Sequence, residues 1–263
     1  MDKADPQLVT ALVLAGARQG GDALALAHGV QTKAEIEVHG RVMLGYVLRA
    51  LRSSGLVREL AVSGMAPDVL LCETEQWPAM KTLEGQSGPA ASVAYAVEQG
   101  RLAYPILVTT CDHVLLSHDI VSSFVERAMA QDCDIAVGMA ARDVIEAEYP
   151  DVARTYTKLR DGDYSACNLF LLKTPECLNM IRFWQQAEVD RKKPWRIAAR
   201  FGVFSALRVW LKRVGLQETF AVVSRRMNCV IAPILLPFAD AAVDVDKPSD
   251  LELVGRVLAK RQA

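Results

Sequence analysis

The amino-acid sequence predicts an α/β fold built on a mostly parallel central sheet covered by helices. Two observations carry this expectation. Short apolar runs at 8–14, at 106–109 and in DIAVGMAA have the length of strands but lack polar-apolar alternation, as strands buried on both faces do. Segments of helical period lie between such runs, as at 43–51, and glycines or aspartates punctuate the joins.

The bulk properties bound the rest. A chain of 263 residues with 51% hydrophobic and 23% charged residues can bury a substantial core and is not of disordered composition. Its net charge of −1 provides no global field for a nucleic-acid partner, so none is expected. The six cysteines show no C-x-x-C pair or zinc-finger spacing and read as small apolar core residues in a reducing compartment. LVTALVLAGA is not taken for a signal peptide, because two acids and a proline precede it and the same run is needed as the first strand. No stretch approaches the roughly 20 apolar residues that span a membrane. One domain over 1–263, with a helical insertion at about 174–226 and a cytoplasmic location, is the expectation.

The first strand runs into LAGARQGGD. There Gly16, Gly20 and Gly21 let backbone amides line a concave anion site, while Arg18 and Lys33 add positive charge at its two ends. A purely structural turn is the alternative, since neither the Walker nor the dinucleotide glycine pattern is present. A short strand, a turn at His39-Gly40 and a helix carrying Met43, Leu44, Val47, Leu48 and Leu51 follow, and Gly55 stops that helix. ELAVSG is expected to be the second main strand and PDVLLCE a short third. SGPAASVAYAVEQG reads as a helix capped by Ser87 or Gly88, with Pro89 in its first turn and its end at Gln99. Its free N–H groups are available to a base edge or a phosphate; a plain capped helix is the alternative.

The strand at 106–109 delivers Asp112 just beyond its carboxyl end, the edge where open α/β sheets bind ligands. A carboxylate buried there needs a partner such as a metal ion, which makes Asp112 the leading metal-ligand candidate. Ser117 and Asp119 serve better as caps for a helix from Ile120, while His113 and His118 share no helix face and read as structural rather than as zinc ligands. After the DIAVGMAA strand, a hairpin turning at Asp161-Gly162 carries Asn168, a buried amide that must bond a ligand or a neighbouring loop. Residues 174–226 are basic and aromatic. Trp195, Ile197, Phe201, Phe204, Leu207 and Trp210 fit amphipathic helices packed as a lid, with membrane-surface or lipid-substrate contact as the alternative. A strand, a second short strand ending at Asp244-Val245-Asp246, and a helix capped by Ser249 with Asp250 in its first turn complete the chain. Asp244 and Asp246 alternate on extended chain and so point the same way; one can complete a metal site while the other anchors it.

Six stretches, taken in order, resemble the MobA-like NTP transferases, nucleotidyltransferases of GT-A-like (Rossmann-like) fold. They are LVLAGARQGGD with Lys33, VHGRVMLGYVLRAL, SGPAASVAYAV, ILVTTCDHVLL, YSACNLFLL and VDVDKPSDLELV, reaching from residue 8 to 255 and leaving 174–226 unmatched. The resemblance implies a three-layer α/β/α sandwich. It also implies that Leu14, Ala15, Gly16, Ala17, Gly20 and Gly21 cradle a triphosphate whose charge Lys33 stabilises. Gly88 and Pro89 would lie by the base, and Asp112 and Asp246 would hold Mg²⁺. Where the family commonly reads LAGG-x-x-x-R-M, this chain has Ala17 at the fourth position and Gly21 at the arginine position, with Arg18 as substitute cation.

The expected function is therefore Mg²⁺-dependent transfer of a nucleoside monophosphate from an NTP, with CTP or GTP favoured, to a phosphate-bearing acceptor, with release of pyrophosphate from the NTP. Lys33, Arg18 and Asp112 are the expected catalytic residues, and Asn168 and Asp244 secondary candidates. An amphiphilic small-molecule acceptor and peripheral membrane contact are compatible with the basic aromatic segment. Two other readings stand beside this one. Glycosyl transfer from a nucleotide sugar normally wants a D-x-D motif after the central strand, where only Asp112 stands. A non-catalytic nucleotide-binding or membrane-docking module is the other.

Overall fold

The computed structural model describes residues 8–17, 21–65, 80–152, 154–189 and 213–262. Strands β1 (Val9–Leu14), β4 (Val57–Ser63), β5 (Met80–Leu83), β6 (Ile106–Thr110), β7 (Ile135–Ala141), β8 (Thr157–Leu159), β9 (Gly162–Leu172) and β10 (Ile231–Leu235) form one sheet. β2 (Glu37–Val38) and β3 (Arg41–Val42) form a separate ribbon. The order across the large sheet is β10-β7-β9-β6-β1-β4-β5, with β8 paired to β9. β1 lies parallel to both β4 and β6, β4 to β5 and β7 to β10, whereas β9 is antiparallel to β6, β7 and β8. The sheet is thus mostly parallel, with one reversed strand delivered by the hairpin at Asp161-Gly162.

Eight helices accompany it among the described residues: α1 (Ala23–Ala27), α2 (Met43–Ser53), α3 (Pro89–Glu98), α4 (His118–Met129), α5 (Arg142–Glu148), α6 (Cys177–Val189), α7 (Leu216–Met227) and α8 (Pro248–Gln262). The unbroken apolarity of β1 follows from its position. Val9, Ala11 and Val13 enter one core with Val47 and Leu51 of α2 and Phe124 of α4, while Leu12 and Leu14 enter another with Val93 of α3 and Ile181 of α6. Alternate side chains face two different helix layers, so both faces are apolar apart from the fully buried Thr10.

Local chemistry sets most boundaries. His39 and Gly40, at φ 50° and 74°, make the tight turn between β2 and β3. Pro89 opens α3 behind Gly88, and the Ser117 hydroxyl accepts the Ile120 amide of α4, which begins at His118 rather than at Ile120. Two expectations at the end of the chain are corrected. Ser249 lies inside α8 and is not its N-cap; Asp250 stands in the first turn as expected, and its Oδ2 accepts the amides of Asp246 and Lys247, each at 3.1 Å. The second short strand before Asp244 is absent. A 3₁₀ turn at Ala239–Ala242 stands in its place, pinned where the Tyr149 hydroxyl and Arg261 both bond Asp240. PDVLLCE, expected as a strand, lies outside the described residues. β5 had no apolar run to announce it, because only Leu83 of its four residues is buried.

Candidate active site

The carboxyl ends of β1, β4 and β6 meet the N-terminus of α3 around a cavity of about 120 Å³. Leu14, Gly16, Ala17, Lys33, Gly88, Pro89 and Asp112 line it, joined by Asp22, Ser63, Gln86, Ser92, Thr110 and Cys111. The loop after β1 is tied at its root, where the Ala15 amide donates to the Ser63 carbonyl at 2.8 Å and the Cys111 amide to the Leu14 carbonyl at 3.0 Å. Ala15 is buried beneath the loop and Gly21 turns at φ 83°, so neither lines the cavity. Arg18 and Gly20 lie outside the described residues.

The position that sterically demands glycine here is Gly64, which follows β4. At φ 86°, a Cβ on it would stand 2.3 Å from the Gly16 Cα, whereas a Cβ on Gly16 would meet Gly64 in ordinary contact at 3.5 Å. The two loops pack backbone on backbone, which the sequence signalled only as the glycine ending ELAVSG. Gly16 therefore serves the loop as the surface against which Gly64 packs, besides lining the cavity.

At the other rim, the α3 N-terminus already has an acceptor. Glu188 of α6 takes the Ala90 amide on Oε1 at 3.3 Å, and its Oε2 would be 2.6 Å from any Cβ on Gly88. A carboxylate here works against a phosphate at this helix end.

The centre of the site is one ammonium. Lys33, in the 3₁₀ turn Lys33–Glu35, donates from Nζ to Asp112 Oδ2 at 2.5 Å, to Asp246 Oδ1 at 2.8 Å and to the Val245 carbonyl at 2.9 Å. Thr110 Oγ1 donates to the other Asp112 oxygen at 2.5 Å, and the Val245 amide donates to the Asp112 carbonyl at 3.1 Å. These bonds stitch the end of β6 to residues 245–246. Burial alone would depress the Lys33 pKa, but the Asp112 charge and hydrogen bond, with Asp246 behind them, outweigh it and hold the ammonium above its ordinary value. Burial, with the Asp112 charge beside it, raises the Cys111 thiol and keeps it neutral, so it is no nucleophile at neutral pH.

Asp244 takes different partners from Asp246. It forms an ion pair with Arg154 and accepts from Asn168 Nδ2 at 3.4 Å. Asn168 and Asp244 thus bond each other, and Arg154, unmarked by any motif, is the residue that holds them. His113 is 1% exposed; His118 is exposed and pairs with Asp119. No cluster of three or more His, Cys, Asp or Glu side chains able to hold a metal occurs among the described residues.

A family model described as the MobA-like NTP transferase domain matches residues 7–222. The chain belongs to that family. As a MobA-like NTP transferase it is a nucleotidyltransferase, and the matched region includes the loop, Lys33, Gly88 and Asp112 but ends before Asp244 and Asp246. Among solved structures, it is similar to a hypothetical transferase from Thermus thermophilus at 27% identity and TM-score 0.80, covering 93% of this chain and 99% of that one. The 4-diphosphocytidyl-2C-methyl-D-erythritol synthase of Anaerococcus prevotii shares the fold at 10% identity and TM-score 0.62, over 97% and 100% of the two chains. CMP:2-keto-3-deoxy-manno-octonic acid synthetase, solved with CTP, does so at 11% identity and TM-score 0.58, over 97% and 99%. No curated protein matches the chain. No helix among the described residues is long and apolar enough to cross a membrane.

Proposed function

We propose that this MobA-like NTP transferase moves a nucleoside monophosphate from an NTP, with CTP or GTP the first donors to test, onto a phosphate-bearing acceptor. The observation that carries the reading is the convergence of Asp112 and Asp246, 134 positions apart in the sequence, on the single Lys33 ammonium. Two hard carboxylates and the Val245 carbonyl facing one point are a donor set that fits Mg²⁺, which is commonly held by one or two carboxylates together with substrate phosphates. Charge makes the same case. Lys33, Asp112 and Asp246 sum to −1, the wrong sign for a triphosphate, and a divalent ion on the two acids brings the centre to +1. When bound, the ion would neutralise phosphoryl oxygens and bring two anions together.

The chain's own residues do the rest. An acceptor phosphate oxygen attacks the α-phosphorus of the NTP, the bond from that phosphorus to the β-phosphate bridge oxygen breaks, and pyrophosphate leaves with the electron pair. A phosphate dianion is already nucleophilic and needs no base. Lys33 neutralises developing charge, the loop from Leu14 to Ala17 positions the phosphates, and Gly88, Pro89 and Glu188 border the base. Mixing the protein with Mg²⁺, each NTP in turn and a phosphate monoester tests this. Pyrophosphate release that vanishes with chelator or in Asp112→Asn is expected, whereas release of a nucleoside diphosphate from a nucleotide sugar would favour glycosyl transfer.

A further inference from the structure

Resting on that reading, we propose that the acceptor is the phosphate of a long-chain apolar alcohol, and that its chain lies in a cleft between the sheet and helices α6 and α7. The cleft is open to solvent on one side and offers about 380 Å³, against about 120 Å³ at the proposed nucleotide site. Its walls are apolar: Val108, Val137 and Phe170 rise from the sheet, Trp184 and Phe220 from the helices, and two threonines supply the polar side chains. Protein interiors close-pack and leave few voids larger than a water molecule, whereas a mostly apolar space of several hundred Å³ has the size of a small-molecule site.

The position of the cleft joins it to the chemistry. Val108 on β6 is part of its wall, and Thr110, two residues further on, shares that face about 7 Å along the strand. Thr110 is the residue whose hydroxyl bonds Asp112. On β9, Ala166 and Phe170 border the cleft, and Asn168 between them bonds Asp244, in the stretch where the pairing of β9 with β7 shifts register. Ala166 is exposed and borders both the apolar cleft and a small polar gap beside His113, Asn168 and Asp244. The polar side of that junction is not saturated internally, for Nε of Arg154, which pairs with Asp244, is buried without a hydrogen-bond partner among the described residues. An apolar trough that opens onto polar groups, with its Val108 wall four residues before Asp112 on the same chain segment, is laid out for a molecule with a charged head and an apolar tail. A compact sugar phosphate would leave the trough wet.

The test uses dodecyl phosphate below its micelle threshold and butyl phosphate, with calorimetric binding and pyrophosphate release measured on wild type and Ala166→Trp. The expected result is at least about tenfold tighter binding of the dodecyl compound, from its additional buried methylenes. Ala166→Trp, at an exposed position, is expected to collapse that chain-length ratio toward one. Equal binding of the two phosphates overturns the inference, as does a dodecyl preference that survives Ala166→Trp. A protein dimer that Ala166→Trp dissociates in sedimentation overturns it too, because the occupant is then a second copy. Pyrophosphate release without chain-length dependence overturns the cleft assignment and leaves the transferase reading standing. An Ala166-sensitive dodecyl preference with no pyrophosphate release from any NTP supports the cleft and overturns the transferase reading.

Discussion

Replacing Lys33 with methionine removes the charge at the centre of the site while keeping an unbranched side chain of similar length. The Nζ distances of 2.5 and 2.8 Å place the two carboxylate oxygens no more than about 5.3 Å apart. At an effective dielectric near 20, two unit charges at that separation repel by about 3 kcal/mol. The Asp246 side chain is 52% exposed, so solvent screening lowers the destabilisation to about 2 kcal/mol. In a chain of this size that corresponds to a Tm lower by about 4–8 °C in EDTA. Mg²⁺ should then stabilise the two proteins to different extents. In wild type it competes with an ammonium already seated between the acids, whereas in Lys33→Met it relieves their repulsion, so the Mg²⁺-induced rise in Tm should be larger in the variant. Thermal melts with and without Mg²⁺ read both quantities. An unchanged Tm in EDTA, or equal Mg²⁺ increments, would refute the shared-cation account.

Alkaline titration offers a second view of the same contact. Because the folded-state pKa of Lys33 lies above its unfolded value, its stabilisation is complete below about pH 10 and is lost as pH rises through the folded pKa. Wild type should thus lose stability in strong alkali by a component that Lys33→Met lacks, seen as denaturant midpoints measured against pH. Asp112→Asn should lower Mg²⁺-dependent pyrophosphate release by roughly 10²-fold or more with a native circular-dichroism spectrum, since it removes a group that holds and neutralises charge at the reacting centre. Gly64→Ala should cost about 3 kcal/mol or more and weaken NTP binding, because its Cβ collides with the Gly16 backbone at a positive φ; an unshifted Tm would contradict the packing. Phe124→Ala, in the fully buried layer between α4 and the sheet, should cost about 3–5 kcal/mol in urea unfolding without changing the affinity of the folded protein for NTP.

Much of the fold was legible because burial on both faces leaves a plain mark. β1, β6 and β7 announce themselves as unbroken apolar runs, and Pro89 and Ser117 mark helix starts through local hydrogen-bonding geometry that any chain obeys. β5 escaped because an edge strand that is mostly unburied has no such run. The misplaced cap at Ser249 and the missing strand before Asp244 have a related cause. Asp250 and Asp240 hold these turns, the first through the amides of Asp246 and Lys247 one turn upstream and the second through Tyr149 and Arg261. The partners of Asp240 are distant in sequence and no local pattern encodes them.

The residue types at the site belong to the sequence: a glycine loop after the first strand, a lysine downstream, an aspartate past the central strand and a pair of alternating aspartates near residue 245. Their division of labour does not. Only the folded chain assigns Asp246 to Lys33 and Asp244 to Arg154, places Glu188 on the α3 N-terminus, and makes Gly64 rather than Gly16 the glycine that cannot be replaced. The reason is physical. Periodicity and capping act between residues a few positions apart and can be read along the chain, whereas the choice among several acids for one buried cation depends on distances set by how distant strands and loops pack.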